Sequence, residues 1–202
     1  MPARGYHHGD LRRALVDVGA ALVREAGPPA LSMAEASRRA GVSIAAPYRH
    51  FPDREALAAA VAARGYDEMG AQLTRAMDGA TTPQERLARA VEGYVAWAAA
   101  NPGTFGLLFA SGLDKSRHPE LHAAAQAVLA LLLEPARSLA SGGEDRAVAL
   151  ATAVGVLGHG YATLLLDGSL GTDDAAAARA ADTAARATRA LLRGRRELTA
   201  EG

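Results

Sequence analysis

The chain has 202 residues, half of them apolar, which suits one large domain or a small domain joined to a larger one. Lys+Arg and Asp+Glu both count 22, so the zero net charge argues against polyanion binding over the whole surface but leaves room for a local basic patch. The lack of cysteine excludes disulfides and thiolate metal sites, and with no apolar run of 18 residues and no signal-like stretch a soluble, cytoplasmic protein without membrane contact is expected.

In chain order, the apolar spacing is helical nearly throughout and strand patterns are missing. Leu11, Leu15, Val18 and Leu22 predict a helix over 10–26, with Asp10 as N-cap and Gly27 as stop. Ser32 with Glu35 three residues on reads as a capping box opening a short helix that ends near Gly41. A third helix is expected over 44–51 and a fourth from Asp53 towards Ala76. Beyond Gly79 come a helix from Pro83 to about Asn101, a short apolar one over 104–112, and one from Pro119 to about Ala140 that Pro135 should kink or split. An apolar helix over 144–167 and an Ala-rich one over 173–194 follow, with a frayed tail over Arg195–Gly202. The expected class is all-α, about nine helices, divided into residues 1–55 and a bundle over 56–202.

Charge is uneven along the chain. Residues 1–66 hold nine Arg against six acidic residues, net +3; the remainder holds thirteen basic against sixteen acidic, net −3. The positive end contains Gly41–Val42–Ser43–Ile44–Ala45–Ala46–Pro47–Tyr48–Arg49–His50–Phe51, with a proline where a helix is expected. Proline lacks an N–H and clashes with the carbonyl four residues back, so Pro47 must lie in a first turn, with Ser43 as N-cap. Two short helices joined by a glycine turn make a helix-turn-helix unit, whose second helix enters the DNA major groove. Ala34, Ala36, Ala40, Val42 and Ile44 are expected to pack the two helices together. Ala45, Ala46, Tyr48, Arg49 and His50 are expected to face DNA; Ser32, Ser43 and Arg54 lie where phosphates would be met. His7 and His8, beside Arg4, Arg12 and Arg13, read either as an arm on phosphate or as a disordered terminus.

The set Ser32–Met33, Gly41–Val42–Ser43, Tyr48–Arg49–His50–Phe51 and Arg54–Glu55–Ala56–Leu57 resembles the DNA-binding half of TetR-family transcriptional regulators. The resemblance covers about residues 8–66. Pro47 departs from the commoner Leu, and Arg54 from the commoner Lys. The resemblance implies an all-α homodimer that binds a palindromic operator on double-stranded DNA as a repressor, is released by a small-molecule effector, and pairs through its last two helices. Residues 158–164, Gly-His-Gly-Tyr-Ala-Thr-Leu, resemble the WHG subgroup, whose Trp falls at Gly155 here.

Leu150, Val154, Gly158, Tyr161, Leu165, Ala184, Ala187 and Leu191 are the expected dimer interface. Trp97, Phe105, Leu108, Phe109, Leu129 and Leu132, with His159 as a polar group, are expected to line an apolar effector pocket, although core packing explains the same residues. His118 and His122 have metal-ligand spacing without an acidic partner motif, so no metal and no cofactor are expected. No nucleophile–base or carboxylate pair suggests catalysis. The rival readings are a ligand-binding helical module with a degenerate DNA-reading head, and an activator.

Overall fold

The computed structural model describes residues 8–141 and 143–195, with side chains from residue 11 onward. Arg4, His7, the side chain of His8 and the residues after Arg195, each the subject of an expectation above, lie outside that description. Among the described residues there are eight α-helices and no strand: α1 His8–Ala26, α2 Met33–Ala40, α3 Arg54–Met77, α4 Pro83–Ala100, α5 Pro102–Phe109, α6 Pro119–Leu139, α7 Glu144–Leu166 and α8 Ala176–Arg193. Three short 3₁₀ turns, Pro28–Ala30, Pro47–Arg49 and Lys115–Arg117, complete the set.

Local chemistry accounts for most boundaries. The Ser32 hydroxyl accepts the Glu35 N–H at 3.1 Å and Asp53 accepts the Ala56 N–H at 2.8 Å, so both caps form as the residue types dictate. Gly41 closes α2 at φ 68°, and its N–H and that of Val42 take up the last carbonyls. Other boundaries differ from expectation. Helix α1 starts at His8, which leaves Asp10 inside the helix and not at its cap. Helix α5 starts with Pro102 at its first position, where a missing N–H costs nothing, and ends at Phe109. Pro135 lies inside α6 without splitting it.

The chain forms two compact units. The first runs to Tyr66 and adds Asn101–Ala124, a segment from much further along the chain. The reason is α5, which packs on α1: a Cβ on Gly103 would sit 2.1 Å from the Val23 carbonyl oxygen, so only glycine permits the approach. Leu15, Val23, Leu31, Leu57, Val61, Leu107 and Leu121 are its fully buried core.

The second unit comprises Asp67–Ala100 and the chain from Ala125. Helix α4 packs on α7 and α8, and Leu87, Val91, Val95, Leu150, Val154, Ala184 and Leu192 close the core. Arg189 on α8 donates two hydrogen bonds to Glu85 on α4, at 2.8 and 3.0 Å, which holds the Glu85 carboxyl below its ordinary value. Helix α7, 23 residues, is long and apolar enough to cross a membrane by length and composition alone.

Candidate nucleic-acid interface

The positive stretch that sequence pointed to is built on three supports. Helix α2 is tied to the end of α1 by Arg39, which bonds Glu25 at 2.7 Å and Glu35 at 3.1 Å. Arg38 also grips Glu35, at 2.6 and 2.8 Å. These two guanidiniums, Arg38 first, pull the Glu35 carboxyl down to about 2. The Glu35 side chain therefore does not reach back to the cap, and the expected capping box is half made. The third support is Arg54, whose Nε and one Nη donate to the carbonyls of Leu31 at 2.6 Å and Pro28 at 2.9 Å. Its guanidinium clamps the connection between α1 and α2.

The segment after Gly41 is not the α-helix expected over 44–51. Residues 44–46 form a turn and Pro47–Arg49 a 3₁₀ turn. Pro47 has no N–H to give to Ser43, and the bonding that remains is mostly of the tighter kind: Ala46 N–H to Ser43 at 3.0 Å, Arg49 N–H to Ala46 at 3.3 Å, His50 N–H to Pro47 at 2.9 Å. Pro47 is buried and so is Phe51, over whose ring Arg12 sits at 5.4 Å. Between and before these anchors, Ser43, Ala45, Tyr48 and Arg49 are exposed, while Ala46 and His50 are half-buried. Ile44, expected to pack between the helices, is 67% exposed, and Ala34 is exposed as well.

An ordered, mostly uncharged turn flanked by Arg38 and Arg49, behind a capped helix and a glycine, has the makings of a DNA-reading element. Residues 15–61 match the family described as "Bacterial regulatory proteins, tetR family" and residues 87–191 the family described as "Tetracyclin repressor-like, C-terminal domain". The chain belongs to the TetR family. Its members are transcriptional regulators and not enzymes, with a DNA-binding helix-turn-helix and a ligand-binding C-terminal domain.

Solved structures with this TetR fold include a protein of unknown function from Rhodococcus sp. RHA1, 30% identical over 92% of this chain and 98% of that one, with a TM-score of 0.73. A TetR transcriptional regulator from the same organism is 19% identical over 92% and 97% of the two chains, TM-score 0.67. RolR in complex with resorcinol is 20% identical over 96% and 95%, TM-score 0.65. No curated protein sequence matches the chain.

The C-terminal residues singled out from sequence sort differently. Leu150, Val154, Gly158, Leu165 and Ala184, expected at the dimer interface, are buried within this chain, against α4 and among α6, α7 and α8. Leu150, Val154 and Ala184 have no exposed side chain in the single chain, and Leu165 is 9% exposed. Tyr161, Ala187 and Leu191 are half-buried. Of the expected pocket residues, Phe105, Leu108 and Phe109 belong to the first unit and Trp97, Leu129, Leu132 and His159 to the second. The Phe105 and Phe109 rings lie 4.9 Å apart, tilted by 49°, with Lys115 over the Phe109 ring. Trp97 is buried, Leu129 is 43% exposed, and His159 is half-buried.

The His159 ring meets Tyr94, whose hydroxyl lies 2.9 Å from Nδ1. Sequence reasoning missed Tyr94, because nothing local relates residues 65 apart. His118, considered above as a metal ligand, has Nε2 at 3.2 Å from the Glu55 carboxylate.

Proposed function

We propose that this TetR-family chain is a homodimeric repressor of a palindromic operator, released by a small, mainly apolar effector. Residues 1–55 do the reading, and 56–202 bind ligand and dimerise. The observation that carries the reading is the ordered turn that exposes Ser43, Ala45, Tyr48 and Arg49 while Pro47 and Phe51 anchor it from beneath. Tyr48 and His50 donate to phosphates, Arg49 reads guanine or phosphate, and Ala45 and Ala46 allow close approach to base edges. Ser32 and Ser43 stand at the phosphate-facing ends of the unit. The Arg54 guanidinium brings its positive charge near the DNA backbone while holding the loop. The protein acts in the cytoplasm, on the nucleoid when DNA-bound.

Two copies pair through α7 and α8. Supporting this, α7 carries no Asp, Glu, Lys or Arg from Ala147 to Leu166, yet exposes Val148, Thr152, Val156, Gly160 and Leu164 along one side. Tyr161, Ala187 and Leu191 border that stripe in the proposal. In the proposal the effector site lies in the second unit, with Trp97 and Leu132 as apolar wall and the hydrogen-bonded Tyr94–His159 pair as its polar groups. The resorcinol held by RolR, a protein of the same fold, agrees with an effector of that size and polarity. Helix α3 begins in the reading unit and ends in the second, so it is the element through which ligand and DNA are coupled. An effector lowers DNA affinity only insofar as it binds the non-competent arrangement more tightly, with the two reading segments away from a spacing of roughly 34–36 Å.

The test is selection of bound duplexes from a random library at moderate salt. An enriched palindrome supports the proposal. No enrichment from a well-folded dimer refutes it and leaves the ligand-binding module with a degenerate head.

A further inference from the structure

The DNA-reading segment exposes one large aliphatic side chain, Ile44, at 67%. Single exposed apolar residues are common on protein surfaces and by themselves say nothing. What sets Ile44 apart is its footing and its neighbours. It sits on a turn fixed by the Ala46 N–H bond to the Ser43 carbonyl at 3.0 Å, one residue before Ala45 and four before Tyr48, which is 54% exposed. No acidic residue occurs between Glu35 and Asp53, while Arg38, Arg39 and Arg49 lie on either side in sequence. The surface around Ile44 is therefore one that a duplex can approach.

An isoleucine has no hydrogen-bonding group to offer a base edge. In the major groove the one methyl group is the C5-methyl of thymine; cytosine has only a hydrogen at that position, and the other distinguishing features are donors or acceptors. An aliphatic side chain carried into that groove is satisfied beside thymine and leaves polar edges uncompensated elsewhere.

We infer that Ile44 is a specificity-determining residue that selects thymine through its C5-methyl group. The inference rests on the DNA-reading role proposed above. Ile44 contributes no hydrogen bond and no phosphate contact; it sets which base is tolerated at one step of each half-site.

The experiment uses the full-length protein and the duplex that it enriches from a random library. Each thymine of a half-site is replaced in turn by 2′-deoxyuridine, which removes only the methyl group. The expected result is a loss of affinity of about fourfold per methyl at one or two positions, the size of one buried methyl group. Ile44→Ala, with an unchanged melting temperature, should bind the parent duplex more weakly by a similar factor and be indifferent to uracil at those positions. If the parent protein binds every uracil duplex as tightly as the original, or if Ile44→Ala stays equally sensitive, Ile44 does not read thymine, although DNA recognition stands. If no duplex is enriched at all, the DNA-reading role fails and this inference fails with it.

Discussion

Replacing Arg54 by Met removes the guanidinium but keeps an apolar stem of similar reach. Two charge-assisted hydrogen bonds are lost, to Leu31 at 2.6 Å and to Pro28 at 2.9 Å. Such a bond contributes about 1.5–3 kcal/mol when shielded. The Leu31 bond is part-buried and the Pro28 bond exposed, so the second is discounted steeply for water. A combined loss of about 1–3 kcal/mol follows. For a chain of this size each kcal/mol moves the melting temperature by about 2–4 °C, so a fall of about 2–12 °C is expected. Calorimetry on the DNA-free protein is the assay, with Arg54→Lys as companion. A single ammonium cannot span both carbonyls as the planar fork does, so lysine should recover only part of the loss. A melting temperature for Arg54→Met within about 1 °C of the parent would refute the clamp and leave Arg54 as a phosphate contact alone.

The double variant Tyr48→Ala, His50→Ala should bind the selected operator far more weakly while far-ultraviolet circular dichroism and dimer content persist; unchanged affinity would remove both residues from the interface. Gly103→Ala should destabilise the fold by at least about 1–3 kcal/mol, since its Cβ would fall 2.1 Å from the Val23 oxygen, and a denaturation midpoint equal to the parent's would contradict that packing. Val156→Asp should dissociate the proposed dimer at micromolar concentration, as read by sedimentation; a dimer of undiminished strength would move the interface elsewhere. Glu35 has its carboxyl lowered from 4.5 to about 2 by Arg38 and Arg39. Its contribution is therefore complete above about pH 4.5 and is lost as pH falls towards 2. Glu35→Gln should accordingly lower the urea midpoint at pH 7 and converge on the parent near pH 2, whereas a constant difference would show that the charge is immaterial.

The helices were legible because their signals are local. Ser32, Asp53 and Gly41 each satisfy a backbone group within a few residues, and the period of Leu15 and Leu22 needs nothing distant to be read. The reading segment was legible as a location and not as a conformation. In an α-helix Ile44, Pro47 and Phe51 share one face, so the burial of the last two implies burial of the first. The 3₁₀ tightening at Pro47 breaks that phase, and Ile44 turns out to solvent. The inner side of α7 was hidden for a related reason. A helix apolar all round does not announce which side faces its own α4, and Leu150 and Val154 took the inner side while Val148 and Val156 took the outer. The roles of Arg54 and Tyr94 depend on partners 23 to 65 positions away, beyond the range of any periodicity.

The anchoring of residues 43–50 from below has an evolutionary corollary. The side chains that hold the turn, Pro47 and Phe51, are distinct from those displayed by it, Ile44, Ala45, Tyr48 and Arg49. Exchanges at exposed positions generally alter stability by less than about 0.5 kcal/mol. Selection can therefore try new letters at those four positions while the fold stays intact. A duplicated copy of this gene could drift to a new operator without passing through an unfolded ancestor, and the same separation makes these four positions the natural library for redirecting the protein to a chosen sequence.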